Sequence, residues 1–416
     1  MERRVVITGM GAITPVGNNV TEFWDSLVNG KSGIDFIKGF DDVELPVRLV
    51  AQVKNFEPQS NGLDRSDVRK WDLFCQYAMA AAYQAMNDSG LVSGENVEAH
   101  RLGVYIGSGI GGMDVFVKEA TKLINEGAKR ISPLFVPTLI ANIASGNVAI
   151  KHKAEGPCLP VVTACATGTH AVGEAFLAIK HGMADAIIAG GTEAAVQPIA
   201  IGGFANSKAL TNAQTVEEAC TPFDARRSGF TMAEGAGVLI LEEYEHALQR
   251  GATIYAEVVG YGNTCDAHHY TAPRPDGIPA SRAIKQALDQ AAYCLNDVLY
   301  INAHGTSTPL NDKTETNAIK LALGEEQAKQ AYISSTKSMT GHMLGAAGAV
   351  ELIACVKTLN DNTIAPTINY QVADPDCDLN YLPNNAIKVP VTLAISNSLG
   401  FGGHNACVAL RKVDHE

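Results

Sequence analysis

Several features that would narrow the function of this 416-residue chain are missing from its sequence. No apolar run approaches the roughly 20 residues that span a bilayer, and the start MERRVVITGMG has no signal-peptide core. The nine cysteines include no C-x-x-C pair, which argues against both a disulfide framework and a zinc site. We therefore expect a cytoplasmic protein with reduced thiols, no membrane contact and no metal.

Positive charge is also scarce, since 32 Lys and Arg oppose 44 Asp and Glu to give a net charge of −12. A nucleic-acid partner would require clustered cations, so we exclude nucleic acid as the main partner. Local basic spots are still compatible with this balance, and one of them is Arg69 and Lys70, with Lys208 far along the chain. With 46% hydrophobic and 18% charged residues, the composition is that of a globular enzyme with a large core.

Short Val- and Ile-rich runs bounded by glycine alternate with Ala-rich stretches of helical spacing, which predicts an α/β fold with a mostly parallel sheet. The strands predicted first are Val5–Thr8, Leu102–Ile106, Leu159–Val162, Ala186–Ala189 and Val238–Leu241. The helices predicted between them are Phe74–Met86, Ile140–Ile150 and Thr169–Lys180.

The alternation starts again after about residue 255, which predicts two similar halves, 1–255 and 256–416. The strands predicted there are Ala256–Tyr261, Val298–Ala303, Tyr332–Ser334, Thr392–Ser396 and Ala406–Arg411. The predicted helices are Ser281–Ala292, Lys313–Leu323 and Leu344–Leu359. No proline-rich or Gly/Ser linker separates the halves, so we expect them to share one core.

Cys165 lies in VVTACATGTHAVGEAF, where a β-rich run ends and a small-residue helix begins. Free N–H groups and the positive end of the helix dipole favour a thiolate there, which predicts a lowered pKa for the thiol. The same N–H groups can hold an oxyanion. Its small neighbours would let a substrate approach closely, so Cys165 is the candidate nucleophile, although a cysteine taken singly is more often a small core residue.

Two glycine-flanked histidines occupy matching positions in the second half. His304 follows a predicted strand in NAHGTSTPLND, and His342 precedes a small-residue helix in SSTKSMTGHMLGAAGAVE. Two neutral imidazoles can donate N–H bonds to a thioester carbonyl that becomes an enolate. Lys337 is expected to orient or tune His342. Glu351 is expected to balance that charge and is grouped with the substrate-binding residues.

A glycine loop in YIGSGIGGM formally matches G-x-G-x-x-G through Gly107, Gly109 and Gly112. The ribose-binding acid that should follow about 20 residues later is missing, because the chain there reads KLINEGAKR. We therefore favour a tight loop that brings Ile110 and Met113 against a pocket. A nicotinamide site on this loop remains the alternative.

Several blocks together closely resemble the β-ketoacyl-acyl carrier protein synthases of fatty acid synthesis, over essentially the whole chain. These blocks are TACATGTHA, CTPFDARRSGF, AEGAGVLILEE, NAHGTSTPLND, TKSMTGHMLGAAG and GFGGHN. DAHHYTAPRPDG and HGTSTPLNDKTET look more like the synthase II branch. Ala233 and Leu399 depart from the usual family pattern, and neither touches the triad. Because Leu399 directly precedes GFGGHN, gate-loop motion and acyl preference are not carried over in detail from the family.

The resemblance implies a duplicated thiolase-like fold with a layered α-β-α-β-α architecture, a homodimer and a Cys-His-His triad of Cys165, His304 and His342. No cofactor is implied, since phosphopantetheine arrives on the acyl carrier protein. The resemblance also implies that Lys337 is the family's motif lysine, that Phe401 gates access, and that the N–H groups of Cys165 and Phe401 form the oxyanion hole. Thr306 and Thr308 would contact the phosphopantetheine arm, and Ile110 and Phe204 would line the acyl pocket. The residues implied at the carrier protein are Arg69, Lys70 and Lys208.

Other functions share parts of this pattern. A thiolase or a polyketide ketosynthase would have the same fold and a related nucleophile, and a chain-length-factor subunit would have the fold without the chemistry. The second histidine block with Lys337 favours decarboxylative condensation over thiolase chemistry. Cys165 speaks against a non-catalytic subunit.

Overall fold

The computed structural model of the chain describes residues 3–41 and 43–413. Within these residues, nine strands form one sheet and four short strands form two separate ribbons. The strands are β1 (Val5–Ile13), β2 (Asp35–Phe36), β3 (Leu49–Val50), β4 (Leu102–Gly107), β5 (Ala186–Glu193), β6 (Gly235–Glu243), β7 (Ala256–Cys265), β8 (Leu299–Asn302), β9 (Tyr332–Ser334), β10 (Thr363–Ile364), β11 (Ile387–Lys388), β12 (Leu393–Gly400) and β13 (His404–Arg411).

The helices range from single turns to five turns. They are α1 (Val20–Val28), α2 (Arg65–Lys70), α3 (Leu73–Ser89), α4 (Met113–Glu126), α5 (Phe135–Leu139), α6 (Ile143–His152), α7 (Thr167–Lys180), α8 (Pro198–Asn206), α9 (Val216–Ala219), α10 (Tyr244–Gln249), α11 (Ile278–Gln290), α12 (Pro309–Leu323), α13 (Glu325–Gln330), α14 (Lys337–Thr340) and α15 (Ala347–Asp361). None of the helices in the described ranges is long and apolar enough to cross a membrane.

The pairing pattern of the sheet is repeated in the two halves of the chain. The order is β4-β5-β6-β1-β7-β13-β12-β8-β9. In the first half β1 and β6, then β6 and β5, pair antiparallel, and β5 pairs parallel with β4. In the second half β7, β13, β12 and β8 repeat this series. β1 and β7 pair antiparallel where the halves meet, so the predicted duplication is confirmed. The predicted mostly parallel sheet is wrong, because five of the eight strand pairs of the large sheet are antiparallel.

Two buried helices, α7 and α15, form the middle layer of the molecule. Each contacts strands of both halves, α7 through β5 and β13 and α15 through β12 and β6. The outer layers are α3 and α6 on one side and α11 and α12 on the other. The central helices can approach closely because a Cβ on Gly168 would lie 2.7 Å from the amide nitrogen of Ala349. This is the expected α-β-α-β-α arrangement.

One predicted strand, Leu159–Val162, is wrong. The segment runs beside β4, where Val104 donates to the carbonyl of Pro157 at 2.8 Å and Leu159 donates to the carbonyl of Val104 at 3.0 Å. Only the pair Val104 and Cys158 forms a bridge. Because Pro157 and Pro160 lack an N–H group, they cannot extend the ladder in either direction.

Candidate active site

The candidate nucleophile lies on a turn of 3₁₀ helix, Ala164–Ala166, that leads directly into α7. Ala164 adopts a left-handed conformation with φ of +50°. The hairpin between β12 and β13 packs on this turn, and a Cβ on Gly400 would lie 2.7 Å from the carbonyl oxygen of Thr163. That close approach brings the N–H of Phe401, together with that of Cys165 itself, to the sulfur.

His304 follows β8 on a loop whose backbone is held by a buried carboxylate. Glu315 of α12 accepts the N–H of His304 at 2.7 Å and that of Gly305 at 2.8 Å. Gly305 has φ of +35°, and a Cβ there would lie 2.6 Å from the Cβ of Ser335, so a side chain would not fit. The imidazole position is therefore fixed through its main chain.

His342 lies opposite His304, with the ring centroids 5.3 Å apart and the planes nearly perpendicular at 88°. Its backbone is also fixed, since its N–H donates to Thr231 at 2.7 Å and its carbonyl accepts from Ala233 at 2.9 Å. Both imidazoles are buried. Nδ1 of His304 and both ring nitrogens of His342 are buried and have no hydrogen-bond partner in the described part of the chain.

A cavity of about 320 Å³ joins these groups. Seven of the predicted site residues line it: Cys165, Lys208, His304, Thr306, Thr308, His342 and Phe401. The hydroxyls of Thr306 and Thr308 lie 2.9 Å apart. Sequence reasoning missed Phe230, which also lines the cavity and whose ring centroid is 5.2 Å from that of His342.

The two predicted acyl-pocket residues are not among the described residues that line the cavity, but they belong to the apolar surroundings of Cys165. Ile110 and Phe204 pack with Cys165 around one apolar cluster, and Leu344 is a buried member of that cluster. The ring of Phe204 lies 6.3 Å from that of Phe401. Arg69 and Lys70, by contrast, are exposed at the end of α2. Neither is among the described residues that line the cavity.

Lys337 and Glu351 form an ion pair that is closed off from solvent. Neither residue is among the described residues that line the cavity. Grouping Glu351 with the substrate-binding residues is therefore wrong in geometry, since its Oε1 accepts from Lys337 Nζ inside the core. Its position fits the other expectation, that it balances the charge of Lys337.

The comparisons with known proteins agree with this geometry. Residues 2–247 match the family described as "Beta-ketoacyl synthase, N-terminal domain", and residues 255–371 match "Beta-ketoacyl synthase, C-terminal domain". The chain belongs to the beta-ketoacyl synthase family. It is 49% identical over 412 residues to "3-oxoacyl-[acyl-carrier-protein] synthase 2" of Staphylococcus aureus (strain COL), covering 99% of each chain.

Other relatives of this family member extend over its full length. The same-named protein of Synechocystis sp. (strain ATCC 27184 / PCC 6803 / Kazusa) is 48% identical over 99% of this chain and 98% of its own. A ketosynthase solved in complex with a type II polyketide acyl-carrier protein matches with a TM-score of 0.90 and 38% identity, covering 100% of both chains. A beta-ketoacyl synthase from Burkholderia phymatum STM815 matches with a TM-score of 0.91 and 33% identity, again over 100% of both.

The electrostatics of this synthase-family site keep all three reactive groups neutral. Burial raises the pKa of the Cys165 thiol to about 12, and the charge of Lys337 and the N–H of Phe401 lower it only in part. Burial, reinforced by the charge of Lys337, holds the pKa of His304 and of His342 well below its usual value. The direction at Cys165 is therefore opposite to the lowered pKa predicted from its helix position, because desolvation is the largest contribution.

Alkylation of Cys165 by iodoacetamide is accordingly expected to accelerate about tenfold for each pH unit between pH 7 and 9, without levelling off. The reason is that the thiolate fraction of a group titrating near pH 12 rises in proportion to hydroxide over that range. Peptide mass analysis after timed quenching measures the rate at this one residue. An alkylation rate that levels off below pH 8 would instead support the thiolate predicted from the sequence.

Proposed function

We propose that this chain is a 3-oxoacyl-[acyl-carrier-protein] synthase II, which extends an acyl-carrier protein by two carbons using malonyl-carrier protein. The observation that carries the proposal is the single cavity that joins Cys165, His304 and His342. The name shared by full-length relatives at 48–49% identity supports the substrate class. In this proposal the half 1–255 supplies the nucleophile and the half 256–416 supplies both histidines.

In the first half-reaction the sulfur of Cys165 attacks the thioester carbonyl of acyl-carrier protein. The tetrahedral oxyanion accepts from the N–H groups of Cys165 and Phe401, both already directed at the sulfur. The C–S bond to the carrier breaks, and the carrier thiol leaves with the proton that Cys165 gives up. An acyl-cysteine remains.

In the second half-reaction malonyl-carrier protein occupies the same cavity. Its thioester oxygen accepts N–H bonds from His304 and His342, whose neutral form lets them donate without requiring a proton from solvent. Carbon dioxide leaves and the electron pair becomes an enolate, which attacks the acyl carbon on Cys165. The sulfur departs, is reprotonated, and a 3-oxoacyl-carrier protein two carbons longer is released. Thr306 and Thr308 are placed to hydrogen-bond the phosphopantetheine arm.

The proposal includes a homodimer and no bound cofactor. Residues 157–163 lie along β4, the outer strand of the sheet, and expose Leu159 and Val162 at 52% each. Further exposed apolar side chains lie on α4, on α5 and directly after α5, namely Phe116, Val136 and Ile140. An exposed apolar sheet edge is normally covered by a partner. Nine free cysteines are consistent with the proposed cytoplasmic location.

A radiolabelled-malonyl assay tests the function directly. Purified protein supplied with acyl-carrier proteins of graded saturated chain length and malonyl-carrier protein is expected to form the products two carbons longer. Intact-mass analysis should detect acyl-Cys165 before malonyl is added.

Polyketide ketosynthase activity is the second candidate, because the solved polyketide ketosynthase is also similar over its whole length, although at 38% identity. Products carrying repeated unreduced keto groups would favour it.

Carrier-protein binding is expected to weaken as salt is raised. The proposed contact residues Arg69, Lys70 and Lys208 are exposed. The attraction between such exposed cations and an acidic carrier protein is screened by salt beyond about 8 Å at physiological ionic strength. We expect KM for carrier-bound substrate to rise at least about fivefold between 50 and 300 mM salt, with little change in kcat. A salt-independent KM would remove this surface from the proposal.

A further inference from the structure

Glu193, at the end of β5, is fully buried and receives four hydrogen bonds from two distant segments. One oxygen accepts from the Ser108 hydroxyl at 2.7 Å and from the N–H of Ile110 at 3.2 Å. The other accepts from the N–H of Gly109 at 2.9 Å and from that of Gly345 at 3.1 Å. Burial raises the pKa of Glu193, and its four donors oppose this by favouring the ionised form. An amide side chain cannot accept all four donors.

The two glycines allow these segments to meet on the carboxylate. A Cβ on Gly109 would lie 2.8 Å from Glu193 Oε2, and a Cβ on Gly345 would lie 2.9 Å from the same oxygen and 2.6 Å from the nitrogen of Gly109. This explains the glycine loop after β4. Its amides are occupied by an internal anion, which leaves them unavailable for the phosphates of a nicotinamide cofactor.

Each segment carries a residue of the apolar cluster against which Cys165 also packs. Ile110 follows Gly109, and Leu344 precedes Gly345 two residues after His342; both pack in the apolar cluster that contacts Cys165. Leu344 is held with φ of +47° on a turn that matches the turn of Cys165, where Ala164 has φ of +50°. Gly345 thus occupies the position in the second half that Cys165 occupies in the first.

We propose that Glu193 is a positioning residue that fixes Ile110 and Leu344 as one wall of the acyl pocket and thereby sets chain-length discrimination at Cys165. The inference rests on the proposed function for the identity of the acyl group. A carboxylate suits this place because it accepts all four donors in a buried site, three from the loop after β4 and one, the N–H of Gly345, from the second half of the chain. Its negative charge also acts on Cys165, in opposition to the positive charge of Lys337.

Glu193→Gln tests the proposal with two readouts. Replacing one oxygen by an NH₂ group turns at least one backbone donor away, so the wall loosens and the ratio of kcat/KM between the preferred acyl chain and one four carbons longer should fall about tenfold. Loss of the negative charge should also make Cys165 alkylation at pH 8 about threefold faster. A purely structural role would leave that second rate unchanged. Asp72→Asn is the control, since Asp72 is a buried carboxylate that accepts backbone N–H groups of Phe74 and Val115 outside the cavity.

Wild-type values of both readouts in a folded Glu193→Gln protein would overturn the proposal while leaving the proposed function intact. If that variant does not fold, Ser108→Ala decides, because it removes one donor but keeps the charge. It should change the chain-length ratio about threefold and leave alkylation unaltered; an unchanged ratio overturns the proposal. Failure of the wild-type protein to extend any acyl chain would instead refute the proposed function, and the alkylation comparison would still report on Glu193.

Discussion

Cys165→Ala should lose acyl transfer and condensation by at least about 10⁴-fold, the order of loss seen when a covalent nucleophile is removed. Decarboxylation of malonyl-carrier protein should persist, because the enolate is held by His304 and His342, which are anchored by their own backbone bonds and independently of the sulfur. The alanine also widens the cavity beside both rings without adding a polar group.

Both activities can be measured in one reaction, as labelled carbon dioxide released and as 3-oxoacyl product formed. Cys294→Ala is the matched control, since Cys294 is exposed and absent from the cavity lining within the described residues. It should retain both activities. Parallel loss of decarboxylation and condensation in Cys165→Ala would contradict the division of labour between sulfur and imidazoles.

The site residues that could be predicted from the sequence are those with small residues as chain neighbours. Cys165, His304 and His342 each have a glycine or alanine neighbour where the chain must turn or approach another segment, and the structure shows the reason at Gly305 and Gly400. The alternation of strands and helices could also be predicted from the sequence, because buried strands are continuous apolar runs. The predicted duplication followed from the repeated order of these elements.

Other parts depend on the sum of many distant groups and carry no local mark. Glu315 and Glu193 look like ordinary acids in sequence, yet each is fully buried and holds backbone N–H groups next to the site. The pKa of Cys165 was predicted with the wrong sign because its helix position is visible in the local sequence, whereas its burial comes from residues far along the chain, such as Ile201, Phe230 and Leu344. The strand predicted at Leu159 failed for the opposite reason, since a local pair of prolines overrode an apolar run.

Lys337→Met should destabilise the protein by about 3–5 kcal/mol, because it leaves Glu351 as an uncompensated buried charge. The loss is measured as the free energy of unfolding in urea at pH 7. Glu351 Oε2 already lacks a partner in the described part of the chain, so no other donor is in place to stabilise the carboxylate. Protonation of Glu351 can relieve part of this cost, since burial already raises its pKa.

The double variant Lys337→Met/Glu351→Leu separates stability from catalysis. It removes both charges and should recover most of the unfolding free energy, since an apolar pair can replace a buried ion pair at little cost.

The acid side of the decarboxylation pH profile should nevertheless move to higher pH in both variants. The charge of Lys337 lowers the pKa of His304 and of His342, so without it the imidazoles become protonated at a higher pH and stop working as neutral donors. An unmoved acid limb would show that Lys337 does not tune the histidines, and failure of the double variant to regain stability would show that the buried charge is not the origin of the loss.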